Sequence, residues 1–301
     1  MIIVLFTIAQ ALVFLLAAPL VAGLAKKVKA RLQNRLGPGI LQLYYDMFKL
    51  LAKDSVVSPT TSWIFRMAPY VYFAVALVAA ALLPVWHYGG VSINDLFMLV
   101  YLLAVGRFFM ALASLDAGSA FGGMGGSREM FISVLVEPVL LLALLTVAVR
   151  SGSTNLIVMS DMAAQAPFSL PYIFAACAFF IVMIAESGRI PVDNPDTHLE
   201  LTMIHEAMVL EYSGRSLALI FWAAALKQLV IISLFVTLFI PWSPFGVMSP
   251  LDGLLWMAVK ALLTAATLAI VETSMNKMRL FRVPSFMALS GLLSLLALAA
   301  Q

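Results

Sequence analysis

Charge is scarce in this chain of 301 residues, of which 11% are charged and 63% are hydrophobic. Ordinary soluble domains carry roughly 25% charged residues. The mean hydropathy is +1.04, which excludes a soluble protein and indicates one embedded in a membrane. Because apolar runs follow one another along the whole chain, we expect a single integral membrane domain over residues 1–301.

Cysteine is almost absent as well, since Cys177 is the only one in the sequence. A disulfide needs two cysteines, and iron–sulfur clusters need several thiolate ligands. The histidines are too few and too poorly spaced for a four-ligand zinc site. We therefore expect no metal and no cofactor in this chain, and any electron transfer must take place in partner proteins.

Basic residues give the chain a net charge of +3 and a pI near 9.0. They flank apolar segments, where lysine and arginine orient a chain against the cytoplasmic leaflet of a membrane. Lipid is therefore the expected surrounding, and a nucleic-acid partner is not expected.

Eight apolar segments are long enough to cross a bilayer as helices, which takes about 20 residues. Most basic residues follow the first, third, fifth and seventh segments. The positive-inside rule predicts that these connections are cytoplasmic and that both termini lie outside, on the non-cytoplasmic side of the inner membrane. The chain should thus be an all-α polytopic membrane protein with spans at 2–25, 66–87, 94–115, 129–150, 169–187, 216–241, 251–275 and 283–300.

Residues 38–53 are amphipathic, with apolar side chains such as Tyr44 and Phe48 at helical spacing and charges on the other side. This pattern predicts an interfacial helix lying along the membrane surface. With the basic residues of the neighbouring cytoplasmic connections it predicts a docking face for a peripheral partner. We assign to this docking face Arg31, Arg35, Asp46, Lys49, Arg128 and Arg189.

Charged residues inside the predicted spans are informative, because one charge at a helix centre costs about 2.5–3.5 kcal/mol, and we single out five of them. They are Glu137, Lys227, Lys260, Glu186 and Glu272. The first three lie deep in apolar sequence and favour a role in moving protons or ions. Glu186 and Glu272 lie nearer the cytoplasmic ends, where snorkelling or a static ion pair explains them equally well.

Glu137 is followed by Pro138, which frees a backbone carbonyl and could admit water to a proton route. We expect Lys227 or Lys260 to be the cation beside the Glu137 carboxylate.

The connection 186–214 reads ESGRIPVDNPDTHLELTMIHEAMVLEYSG and holds six of the 15 acidic residues. Such a concentration of carboxylates, next to spans with buried charges, predicts the input to a series of charged sites. We assign to this coupling loop Asp193, Asp196, His198, Glu200, Glu206 and Glu211.

The glycine-rich stretch GSAFGGMGGSRE at 118–129 matches neither dinucleotide-binding nor Walker spacing. We interpret it as a flexible cytoplasmic turn leading into the fourth span.

Three stretches resemble the membrane subunit 1 family of respiratory complex I, and more closely its branch in membrane-bound group 4 [NiFe] hydrogenases and formate hydrogenlyase. The coupling loop departs from that pattern, because Asp196, His198 and Glu200 stand where most relatives carry three glutamates. The stretches are RLQNRLGPGILQLYYDMFKLLAKDSVVSP with FRMAPYV at 31–71, GGSREMFISVLVEP at 125–138, and AESGRIPVD with LEYSGR in the loop.

The resemblance implies a non-catalytic subunit that anchors a hydrogenase or formate hydrogenlyase-type complex and links its electron transfer to H⁺ or Na⁺ translocation. The implied partners are large and small subunits with [NiFe] and iron–sulfur clusters on the cytoplasmic side, and antiporter-like membrane subunits. One alternative is the quinone-chamber subunit of an NADH-quinone oxidoreductase. A stand-alone secondary transporter is disfavoured, because no internal repeat is visible.

Overall fold

The chain is described by a computed structural model over residues 2–85, 94–165, 169–193, 203–242 and 250–301. Within these ranges the regular structure is helical, which confirms the predicted all-α class. The α-helices are α1 Ile2–Leu32, α2 Gln42–Leu51, α3 Trp63–Leu82, α4 Leu96–Asp116, α5 Ala120–Ser151, α6 Leu156–Gln165, α7 Leu170–Glu186, α8 His205–Val209, α9 Gly214–Phe239, α10 Pro250–Ser274 and α11 Val283–Ala299.

Seven of the described helices are long and apolar enough to cross a membrane: α1, α3, α4, α5, α9, α10, and α11 with its preceding turn. The eighth predicted span, 169–187, is the apolar helix α7, which has 17 residues. At 1.5 Å per residue it is about 25 Å long, the lower end of what a span requires. The protein is therefore a multi-pass membrane protein.

The interfacial helix predicted at 38–53 is α2. Met47 is its buried residue, while Asp46 and Lys49 are exposed. It packs against α9 and α1. One buried side opposite a charged side is the arrangement of a helix that lies on the membrane surface.

The glycine-rich stretch is a helix, so its interpretation as a flexible turn is wrong. Helix α5 begins at Ala120, and the Ser119 hydroxyl caps it by accepting the Gly122 N–H at 3.1 Å. A Cβ on Gly125 would lie 2.8 Å from the Ala207 Cβ and 2.9 Å from the Ile204 carbonyl. The glycines are needed because helix α8 and its N-terminal flank pack directly on the α5 backbone.

Helix α9 lies at the centre of the bundle and contacts α1, α2, α3, α6, α7 and α10. Its C-terminal half is almost entirely buried, and Phe235 and Phe239 pack there against Phe179 of α7. Because α9 has neighbours on all sides, its sequence is apolar around the whole helix, and a charge on it has to be paired inside the protein.

Candidate functional site

Arg107 of α4 is the centre of a buried ionic cluster, and its side chain is only 7% exposed. Its Nη1 donates to the Glu137 Oε1 at 2.7 Å and also to the Ser133 hydroxyl. Its Nη2 donates to Glu186, and its Nε lies 3.9 Å from the Glu129 carboxylate. One guanidinium on α4 therefore joins two levels of α5 to the end of α7.

Lys227 extends this cluster to α9. Its Nζ lies 2.8 Å from the Glu186 Oε2, and the two side chains are 12% and 3% exposed. Glu186 thus lies between two cations, which explains how a carboxylate can remain in so buried a position. We call Glu129, Glu137, Glu186, Arg107 and Lys227 the central cluster.

The central cluster contains three carboxylates and two cations, so one negative charge is left over when all five groups are ionised. The Glu137 side chain is 35% exposed, far more than its partners. Glu137 therefore lies at the exposed edge of the central cluster.

Arg107 is not among the residues predicted from the sequence, although a lone arginine in the third apolar segment is a visible signal. The expectation that Lys227 or Lys260 neighbours Glu137 is wrong. Glu137 is paired with Arg107, and Lys227 with Glu186. Hydrophobic pattern locates a charge along the chain, but it does not identify the partner helix.

Lys260 does not join the central cluster. Its Nζ donates to the carbonyl of Ile240 at 2.8 Å, at the C-terminal end of α9. Exposed carbonyls and the helix dipole make this end negative, so a lysine is stabilised there. This contact accounts for the charge of Lys260, which caps the C-terminal end of α9.

Glu272 belongs to a second buried cluster, where α1 and α10 meet the start of the coupling loop. Its Oε1 accepts from the Lys29 Nζ at 2.8 Å, and its Oε2 lies 3.8 Å from Arg189. Asp193 is 3.1 Å from the Lys277 Nζ and accepts the backbone N–H of His205 at 3.3 Å. These contacts fasten the segment 187–193 to the end of α10.

A cavity of about 290 Å³ lies between the two clusters. Glu129, Glu186 and Lys227 line it, as do Arg189 and Asp193 of the second cluster. Apolar side chains of α1, α2 and α9 form another part of its wall. The cavity gives both clusters access to a common space at the cytoplasmic end predicted for the bundle.

The predicted coupling loop is only partly described. Asp193 and Glu206 line the cavity, whereas Glu211 is exposed. Asp196, His198 and Glu200 lie outside the described residues.

The predicted docking residues fall into two groups. Arg31, Arg35, Asp46 and Lys49 are exposed, as a docking face requires. The other two make contacts inside the protein: Arg128 donates to the Met203 carbonyl at 3.1 Å, and Arg189 donates to the Gln228 side chain at 3.1 Å. Their first role is to hold the coupling loop against α5 and α9.

The fold and the buried ionic clusters define a multi-pass α-helical membrane protein with a charged interior. A family model described as NADH dehydrogenase matches residues 4–300. The chain belongs to this family, which confirms the resemblance to complex I subunit 1.

Two curated relatives come from Escherichia coli (strain K12). Formate hydrogenlyase subunit 4 is 40% identical over 288 residues, covering 93% of each chain. Hydrogenase-4 component C is 38% identical over 287 residues, covering 92% of this chain and 89% of its own. Among solved structures, a chain of the membrane-bound sulfane sulfur reductase, an archaeal respiratory membrane complex, has a TM-score of 0.86 at 20% identity, covering 100% of this chain and 99% of its own. That likeness supports the fold.

Proposed function

We propose that this chain is the membrane-anchor and coupling subunit of a membrane-bound [NiFe] hydrogenase or formate hydrogenlyase-type complex in the inner membrane. The names of the two curated relatives support the type of complex. The subunit is non-catalytic, and both of its termini lie outside. Its partners are the large and small subunits that carry the [NiFe] and iron–sulfur clusters, together with antiporter-like membrane subunits.

The observation that carries the coupling role is the continuity of the central cluster. Glu129, Glu186 and Lys227 line the cavity, and Arg107 joins them to Glu137, the most exposed of the three carboxylates. A proton entering from the cavity can pass along the cluster as far as Glu137. The positive charge of Arg107 holds the three carboxylates close together.

The second cluster gives this route a connection to the redox partners. Lys277 and Glu272 fasten Asp193 and Arg189, which also line the cavity. A partner that displaces the coupling loop would therefore change the charges facing the cavity. This linkage couples an event at the cytoplasmic face to the protonation of the central cluster.

Purification through an affinity tag on this chain tests the proposed complex. A nickel-containing large subunit and an iron–sulfur subunit should copurify, with hydrogen evolution from a reduced dye. Recovery of the chain without redox subunits would contradict the proposal.

A quinone-chamber subunit of an NADH-quinone oxidoreductase is the second candidate. It is favoured by the cavity itself, whose volume is close to the smallest expected for a ligand pocket and whose wall includes the apolar residues Ala22, Leu43 and Phe221. Quinone-dependent oxidation by the purified complex, blocked by a quinone-site inhibitor, would favour this candidate. A complex that evolves hydrogen and is insensitive to such inhibitors would exclude it.

A further inference from the structure

Three of the described helices contain an interior proline: Pro19 in α1, Pro69 in α3 and Pro138 in α5. Proline has no N–H, so each one leaves the carbonyl four residues earlier without its helical hydrogen bond. In a membrane a carbonyl in this position needs another donor, because hydrocarbon supplies none.

Side chains from elsewhere in the protein fill two of these breaks. The indole Nε1 of Trp222 donates to the Leu15 carbonyl at 2.9 Å, four residues before Pro19. The phenol of Tyr212 donates to the Phe65 carbonyl at 3.0 Å, four residues before Pro69, and stacks on the Phe65 ring. Burial and the nearby Asp116 carboxylate raise the pKa of Tyr212, so its phenol stays protonated as a donor.

The third break is different. Pro138 frees the carbonyl of Val134, and among the described residues no side chain donates to it. Val134 is 68% exposed, Phe131 is 42% exposed, and Pro138 is also exposed. Residues at this spacing share one helix face, and the partly exposed Glu137 lies between Val134 and Pro138 in the sequence. This face thus combines apolar side chains, a carbonyl that lacks its usual helical donor and a carboxylate.

We propose that the α5 face of Phe131, Val134 and Pro138 docks a transmembrane helix of a partner subunit whose side-chain hydroxyl, amide or indole donates to the Val134 carbonyl. The occupant is a protein helix because acyl chains have no donors, whereas transmembrane helices associate through such side chains. It would fill the third break as Trp222 and Tyr212 fill the first two, and it would shield Glu137 from lipid. The inference rests on the proposed function only in requiring a partner in the membrane.

A photoreactive benzoylphenylalanine at Val134, in native membranes, tests the contact directly. The expected result is an adduct with one integral membrane subunit. Adducts with lipid alone, or no adduct, would overturn the inference. If redox subunits copurify but Val134 gives no protein adduct, the inference fails and the proposed function stands. An adduct with a membrane subunit in a complex that contains no hydrogenase would support the inference and contradict the proposed function.

A matched pair of proline variants tests the role of the open carbonyl. Pro138→Ala supplies an N–H to Val134, so the partner's donor loses its acceptor. We expect the cross-linked partner to be retained about fivefold less well in detergent, while the isolated chain resists heat better. Pro19→Ala, at a break that Trp222 already fills, should leave partner retention unchanged. Equal retention in Pro138→Ala and wild type would contradict the assignment of the carbonyl as the docking point.

Discussion

Glu186→Gln is the substitution that the central cluster should tolerate least. Glu186 faces Arg107 on one side and lies 2.8 Å from the Lys227 Nζ on the other, and its side chain is 3% exposed. Arg107 retains Glu137 and Glu129 as partners after the exchange. Lys227, 12% exposed, loses the carboxylate it faces. Breaking a buried pair in this way costs about 3–5 kcal/mol, because it leaves an uncompensated charge in the interior.

Thermal unfolding of the detergent-solubilised chain measures this cost. Glu186→Gln should lower the midpoint by several degrees, and Lys227→Met in the same chain should recover most of the loss by removing the stranded ammonium. Glu137→Gln is the control, and it should cost about 1 kcal/mol or less, because its side chain is one third exposed and Arg107 keeps Glu186. A Glu186→Gln variant that Lys227→Met does not rescue would refute the assigned pairing.

The remaining predictions concern packing, docking and topology. Gly125→Ala should displace α8 and its flank and destabilise the protein by about 1–3 kcal/mol. Gly123→Ala is the control and should not destabilise it, because nothing lies within 4 Å of a Cβ added there. Equal thermal midpoints of the two variants would contradict the packing of α8 on α5. Exchange of Arg31 and Arg35 for Glu should release the peripheral subunits from membranes, whereas exchange of both for Lys should retain them. If the complex with the two glutamates stays intact at moderate salt, these residues only orient the chain in the membrane. A reporter fused after Gln301 should lie outside, and a cytoplasmic signal would contradict eight spans.

The spans could be predicted from the sequence because bilayer thickness fixes the length of an apolar run. The interfacial helix α2 was predictable for a similar reason. Lipid on one side of the helix and water on the other require apolar residues at helical spacing. The N-terminal part of α5 was not, because glycine disfavours a helix by itself. Its helical form depends on close contact with Ala207 and Ile204, which are about 80 residues away along the chain.

The charges of the candidate site could be predicted in part. Scarcity alone identified Glu137, Lys227 and Glu186 as unusual, but it did not identify Arg107, the cation that joins Glu137 to Glu186. Pairing depends on which helices are neighbours, and hydrophobic period does not encode this. Lys260 was given the same role as Lys227, because both lie in apolar sequence. In the structure, however, Lys260 caps α9 and does not join the central cluster.

Proton uptake by vesicles containing the assembled Glu137→Gln complex tests the central claim most directly. The exchange preserves the size of the side chain and its ability to accept hydrogen bonds, but removes the proton-binding carboxylate at the exposed edge of the central cluster. The account predicts wild-type yield and subunit composition with lost proton translocation or lost coupled turnover, and recovery in Glu137→Asp. Wild-type translocation by a fully assembled Glu137→Gln complex would contradict it.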